Sequence, residues 1–371
     1  MQKIHRVVLV DVVDHRHSKE DAQKKLQELR SLVATYNGID IVDVIQHRDH
    51  PDKATFIGSG KVMELAEIVA TKKIDVVIIN ALVNISVLFN LTQKLWGENP
   101  NVQVWDRIDL ILNIFDKHAT TNEAKLQIEI ARMHHMGPRI YGLGVTYFSR
   151  QAGGIGTKGQ GETNIEIMKR HFRDQIKKKT DQLEKISKQH LSQLERRKKN
   201  NIPAISIVGY TNAGKTSLFN LLTKKKKVVE NELFTTLDSI TGKLYFPEQK
   251  KQVTLSDTIG FIKDLPSSLI SSFKSTLMES VYADILLHVI DISDREMLEK
   301  IDIVEKILQE LKVQAKKTIF VFNKIDVYVG DGEKILKEIK ERYSQFSPQF
   351  ISVTTNFGLE KLKNEISKYI V

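Results

Sequence analysis

Residues 209–216 read G-Y-T-N-A-G-K-T. This is G-x-x-x-x-G-K-[ST], the spacing of a phosphate-binding loop. It sits between the β-branched run AISIV (204–208) and the apolar helical pattern TSLFNLLT (216–223), which is the context such a loop requires. Gly209 and Gly214 let the backbone N–H groups of Tyr210, Thr211, Asn212 and Ala213 turn inward around phosphate oxygens. A helix N-terminus there already favours anions. Lys215 reaches the β- and γ-phosphates, the Thr216 hydroxyl can hold Mg²⁺, and Ser217 completes the phosphate-binding set.

Downstream motifs in fixed order decide which nucleotide. Asp257-Thr-Ile-Gly260 ends the run VTLS, 42 residues after Lys215. Asp257 can reach Mg²⁺ through water, and the Gly260 N–H can sense the γ-phosphate. Asn323-Lys324-Ile-Asp326 ends the run TIFVF. The Asp326 carboxylate can accept from both guanine N1–H and the 2-amino group. Adenine offers neither donor, so the contact selects GTP, with Asn323 and Lys324 bracing loop and base. Ser352 and Val353 fall where a last base-contacting loop is expected, although Val353-Thr354 departs from the usual Ser-Ala-Lys. Between loop and aspartate, LFTTLDSITGKL (233–244) must supply a threonine that closes over Mg²⁺ and γ-phosphate; Thr235 and Thr236 are both candidates, Thr236 preferred. Lys215, Thr236 and Gly260 are thus the expected catalytic contacts, and Thr216, Thr236 and Asp257 the metal set. Phe261 stands where small GTPases place a water-orienting glutamine. A phenyl ring cannot orient water, so slow intrinsic hydrolysis, accelerated by a partner, is expected.

The chain of 371 residues has a net charge of +10, 41% hydrophobic residues and no cysteine. Disulfides and thiolate zinc sites are excluded, and no run approaches a membrane span. A monomeric cytoplasmic protein is the expectation. Positive charge gathers in 165–200, with 12 Lys/Arg against 5 Asp/Glu, which suits a polyanionic partner or simply a solvated face. Residues 1–115 alternate strand and helix signals and predict a parallel-sheet α/β domain. There IGSGK (57–61) imitates a phosphate loop but lacks the first glycine and the final hydroxyl, and reads as a turn capping a helix. Residues 116–200 predict an antiparallel helical hairpin. Its first helix is capped by Thr120 and Glu123 and stopped at Gly137-Pro138; its second opens at Thr163 and Glu166 and runs to about Lys199. Between them, 141–163 holds 7 of the 19 glycines, including the G-x-G-x-x-G of Gly154, Gly156 and Gly159. No strand leads into that pattern, so it fails the dinucleotide-binding test. Residues 201–371 alternate again and predict a complete P-loop GTPase domain.

The assembled pattern resembles the HflX family of ribosome-associated GTPases. The resemblance is carried by ATFIGSGKVMEL (54–65), DRIDLILNIFDKHATTNEAKLQIEIARM (106–133), GGIGTKGQGETNIE (153–166) and the GTPase motifs. The further C-terminal domain of some longer members is not expected. The resemblance implies binding to the large ribosomal subunit and its 23S rRNA, splitting of stalled or idle ribosomes in the GTP state, and a glycine-rich loop directed at the peptidyl-transferase centre. Tyr141, Tyr147, Phe148 and Arg150 could then stack on unpaired bases, with Gly154, Gly156 and Gly159 allowing close approach and Lys158 meeting phosphate. A solvent loop is the plain alternative. In related GTPases an asparagine in the position of Asn212 helps bind K⁺; it could equally brace the loop. A large-subunit assembly or sensing GTPase without splitting activity, and an ATP-dependent RNA remodeller using the N-terminal domain, are the rival functions.

Overall fold

The computed structural model describes residues 5–15, 19–151, 158–225, 234, 239–263, 269–270, 273, 277–328 and 332–370. Side chains are described within that range except for 19–22, 24–25, 40–41, 136, 138–151, 158–165 and 168. The chain forms two compact units, residues 1–117 with 128–182, and residues 118–127 with 183–371. The expected helical segment 116–200 is thus shared between the units.

In the first unit, β1 (His5–Val13), β2 (Gly38–His47), β3 (Val76–Ile79) and β4 (Gln103–Trp105) form an all-parallel sheet in the order β2-β1-β3-β4. The four residues of β3 are all buried, as expected of a strand covered on both faces. Helix α1 (Lys19–Tyr36), α2 (Ser59–Lys72) and α3 (Ile85–Leu95) are the crossovers. On α2, Val62, Leu65 and Val69 recur at helical spacing and are buried against the sheet. The glycines of 57–61 do cap this helix: Gly58 is its N-cap, and its N–H donates to Gln46 Oε1 at 2.8 Å.

Helix α4 (Arg107–His118) leads into α5 (Asn122–Gln151) and α6 (Lys158–Lys199). Three sequence expectations fail here. The Gly137-Pro138 stop does not end α5, which continues to Gln151. Proline removes one i→i−4 bond and can be carried inside a long helix. Likewise α6 starts at Lys158, so Thr163 and Glu166 lie inside it. The N-terminal cap of α5 comes from Thr121, whose Oγ1 accepts from the Ala124 N–H at 3.1 Å, one residue beyond the expected Thr120. The two helices run antiparallel. Within the first unit Lys179 Nζ meets Glu129 Oε2 at 2.6 Å, and within the second His190 lies in the field of Glu123.

The second unit carries a sheet of β5 (Ala204–Gly209), β6 (Ile240–Phe246), β7 (Lys251–Asp257), β8 (Ile285–Asp291), β9 (Lys317–Asn323) and β10 (Gln349–Phe350), ordered β10-β9-β8-β5-β7-β6. Only the β6–β7 pair is antiparallel. The sequence reading passed over β6, whose alternating burial marks a half-exposed edge strand. Helix α7 (Lys215–Thr223) follows β5. After β7 come α8 (Met278–Val281), α9 (Met297–Glu310), α10 (Gly332–Arg342) and α11 (Leu359–Ser367). One core lies against α7 and α11, with Phe219, Leu255, Leu287 and Leu362 at its centre. The base of α6 is tied to α8 by a buried carboxylate: Glu279 accepts from Arg197 at 3.1 Å and meets His190 Nε2 at 3.2 Å. The hydrogen bond to Glu279 raises the His190 pKa. A polar cavity of about 310 Å³ opens beside this joint, lined by Glu123, His190, Arg197, Ser239, Thr241 and Glu279 among others.

Candidate functional site: a nucleotide pocket at the strand ends

Strands β9, β8, β5 and β7 are neighbours and parallel, so their C-terminal ends form one ledge, where open α/β sheets bind ligands. The expected motifs end three of them: Gly209 on β5, Asp257 on β7 and Asn323 on β9.

The glycines of 209–214 are required by sterics. Gly209 has φ +148° and a Cβ there would lie 2.3 Å from the Val289 carbonyl oxygen. Gly214 has φ +96° and its Cβ would meet Asn323 Nδ2 at 2.3 Å. Gly214 also caps α7, so the loop delivers a helix N-terminus to the pocket. Asn212 is exposed and has φ +61°, a conformation asparagine tolerates better than most residues. Ala213 is buried, and Ser217 is half-buried within α7.

Lys215 is buried, and its Nζ donates to the Tyr210 carbonyl at 2.6 Å. Burial lowers its pKa to about 8 against the opposing pull of Asp257. Next to it Thr216 Oγ1 donates to Asp257 Oδ2 at 2.9 Å, both side chains buried. A hydroxyl and a carboxylate side by side are hard oxygen donors, the chemistry Mg²⁺ takes. These residues fit that ion. Thr235 and Thr236 lie outside the described residues.

Gly260 is buried against the loop: a Cβ on it would lie 2.7 Å from Thr211 Cγ2 and 2.9 Å from Lys215 Nζ. The side chain of Phe261 is fully buried in the core, away from any position for handling water. Below the pocket, burial takes the pKa of His288 on β8 down to about 3, so it is neutral and adds no charge beside Lys215.

Asn323 joins the loop 209–216 to the segment at Val353. Its Nδ2 donates to the Ala213 carbonyl at 2.9 Å, and its Oδ1 accepts from the Val353 N–H at 3.2 Å. Val353 therefore contributes backbone, which explains why a valine serves there. Ser352 is buried and its Oγ accepts from the Thr355 N–H at 3.1 Å. Lys324, at φ +65°, pairs with Asp291 at 2.7 Å. Asp326 lies in the 3-10 turn Ile325–Val327 and is exposed, so its carboxylate can receive a base.

Tyr141, Tyr147, Phe148 and Arg150 lie on the last turns of α5 by backbone. Lys158 and Gly159 open α6, and Gly154 and Gly156 are outside the described residues. The expected loop 141–163 is therefore mostly helical where it is described.

Sequence reasoning missed one cluster. Asp106, Asp109 and His135 bring ligand-type atoms within 4.8 Å of one another. Asp106 and Asp109 cap each other's backbone N–H at the start of α4, and His135 of α5 meets Asp106 at 3.2 Å. Burial would lower the His135 pKa, but the two carboxylates outweigh it and raise it to about 9. A protonated imidazolium is a cation partner, so the cluster is a clasp between helices. Among the described residues no helix is long and apolar enough to cross a membrane.

The chain is similar to known proteins along most of its length. Residues 23–116 match the family described as "GTP-binding GTPase N-terminal", 118–197 the "GTP-binding GTPase Middle Region", and 204–324 the "50S ribosome-binding GTPase". The chain is 43% identical over 366 residues to the GTPase HflX of Caldanaerobacter subterraneus, covering 98% of this chain and 80% of that protein. It is 35% identical over 353 residues to GTPase HflX of Escherichia coli, covering 95% and 80%. Among solved structures it is similar to a GDP complex of SsGBP, with TM-score 0.55, 29% identity and 98% of both chains covered. A GTP-binding protein of Sulfolobus solfataricus in complex with GDP gives TM-score 0.51 and 27% identity, again with 98% of both chains covered. Site, fold and relatives agree: the chain belongs to the HflX family of P-loop GTPases, and its reaction is the hydrolysis of GTP.

Proposed function

We propose that this GTPase binds the large ribosomal subunit through the α5–α6 hairpin and, in its GTP state, separates stalled or idle ribosomes into subunits. The observation that carries this is α6. It is a continuous helix whose Arg170, Arg173, Lys177, Lys178, Lys185 and Lys188 are exposed, on the same chain as a P-loop GTPase domain. A row of cations along a helix can track rRNA phosphates at a salt-dependent cost. Tyr141, Tyr147, Phe148, Arg150, Gly154, Gly156, Lys158 and Gly159 mark the end of the hairpin that reaches toward the peptidyl-transferase centre. The matched description "50S ribosome-binding GTPase" supports the same partner.

In the pocket, backbone N–H groups of 209–217 and Lys215 hold the phosphates, and Asp326 selects guanine with Asn323, Lys324, Ser352 and Val353 shaping its seat. Thr216, Thr236 and Asp257 would hold Mg²⁺, which when bound would neutralise charge on the phosphates. Asn212 would provide a contact for K⁺. Because Phe261 is buried, intrinsic hydrolysis is slow and the ribosome accelerates it. The protein acts as a monomer in the cytoplasm.

Pelleting with purified large subunits tests the binding step. With a non-hydrolysable GTP analogue the protein should co-sediment, and it should do so less with GDP and progressively less as salt rises. Equal pelleting with both nucleotides would contradict a GTP-dependent switch. Deleting 141–161 should abolish pelleting while intrinsic GTP hydrolysis persists.

A further inference from the structure

The first variable residue of the phosphate loop, Tyr210, does more than lend its backbone. Its ring is buried, and Lys300 Nζ of α9 sits 5.1 Å from the ring centroid. Lys300 is itself fixed by Asp294 at 2.5 Å. From that position the phenolic oxygen accepts a hydrogen bond from the Lys263 backbone N–H at 2.7 Å. Two backbone bonds stand beside it. The Thr211 N–H donates to the Phe261 carbonyl at 2.8 Å, and the Phe261 N–H donates to the Gly209 carbonyl at 3.2 Å. The front of the loop and the residues just past Asp257-Thr-Ile-Gly260 are thus paired like two short strands. The Tyr210 hydroxyl adds a rung supplied by a side chain, at Lys263. On the far side the Lys263 side chain pairs with Glu299 of α9 at 2.5 Å, so the segment is held between the loop and α9.

Gly260 immediately precedes this pairing, and its space is bounded by Thr211 and by Lys215. Its position along the loop therefore follows from how residues 261–263 are seated. We infer that the Tyr210 hydroxyl is a positioning group for discrimination between nucleoside triphosphate and diphosphate: by seating Lys263 it sets where the Gly260 N–H stands relative to a γ-phosphate. A diphosphate has no γ-phosphate for that N–H to meet, so the hydroxyl weighs on the triphosphate more than on the diphosphate. The inference rests on the reading of Gly260 as the γ-phosphate contact.

The substitution Tyr210→Phe removes the oxygen and keeps the ring. One hydrogen bond to a backbone donor corresponds to roughly a 2- to 12-fold effect on an equilibrium. The measurement is the ratio of affinities for a fluorescent non-hydrolysable GTP analogue and fluorescent GDP, in the full chain, for the unaltered protein, Tyr210→Phe and Gly260→Ala. Tyr210→Phe should lower the ratio by roughly 2- to 12-fold. Gly260→Ala, whose added methyl meets Thr211 and Lys215, should lower it further. A normal ratio in Tyr210→Phe with a lowered one in Gly260→Ala would overturn the role of Tyr210 alone. A normal ratio in Gly260→Ala would remove the γ-phosphate contact, and the inference with it.

Discussion

Lys215 is a cation buried beside one carboxylate, with its pKa brought down to about 8. A polyphosphate bound against it restores the charged form, so the nucleotide complex must hold that proton more tightly. The sign follows. Below pH 8 the free protein already carries the proton and affinity is level; above pH 8 binding must take one up, and affinity falls as pH rises. Titration calorimetry at pH 8.5 in two buffers of different ionisation enthalpy should show uptake of a fraction of a proton, and none at pH 6.5. At the other end of the pocket, Asp326→Asn exchanges an acceptor for an amide that also donates. GTP affinity should fall by about 10- to 100-fold while xanthosine triphosphate, with a carbonyl at C2, gains relative to it. An unchanged preference in competition binding would mean that Asp326 does not read the base. The fold of the loop was legible in the sequence, because a phosphate loop is a local object: spacing, the strand before and the helix after define it. The contacts that brace it were not. Asn323 reaches Ala213 across 110 positions, and only the order of parallel strands brings them together. Phe261 is the intermediate case, since its chemistry was readable and its full burial was not.

Helices were harder to bound than strands. The punctuation Gly137-Pro138 suggested an end to α5, yet α5 runs on to Gln151, because one missing hydrogen bond does not outweigh the turns on either side. The edge strand β6 was overlooked among residues read for their threonines. The clasp of α5 on the start of α4 was invisible for a further reason: Asp106 and Asp109 looked like ordinary first-turn acids, and only the return of α5 brings His135 to them. That clasp has a pH signature. The folded pKa of His135, about 9, lies above the roughly 6.5 of an unfolded histidine. Its contribution is therefore full below about pH 6.5 and is lost as pH rises through 9. Both tryptophans, Trp96 and Trp105, belong to the first unit, so thermal melting followed by their fluorescence reports on it. Between pH 7 and 9.5 the melting temperature should fall more in the unaltered protein than in His135→Gln. Parallel curves would show that the imidazolium does not hold the clasp.

At the scale of the whole molecule, the order of the pieces was legible before any coordinates: a parallel-sheet domain, a basic helical pair and a GTPase domain. Their partition was not, because compactness depends on tertiary contacts, and these divide the helical pair between two units. Residues 118–127 and 183–199 belong with the GTP site, and Glu279 ties α6 to α8 within that unit. Nucleotide chemistry and the base of the hairpin thus share one compact unit, which is the physical basis for the GTP-controlled lever proposed above. The most direct test is sucrose-gradient sedimentation of intact ribosomes incubated with this protein and a non-hydrolysable GTP analogue. The account predicts that the ribosome peak gives way to separate subunits, with the protein on the large one, and that GDP does not produce this change. Ribosomes that remain intact at saturating protein and analogue would contradict it.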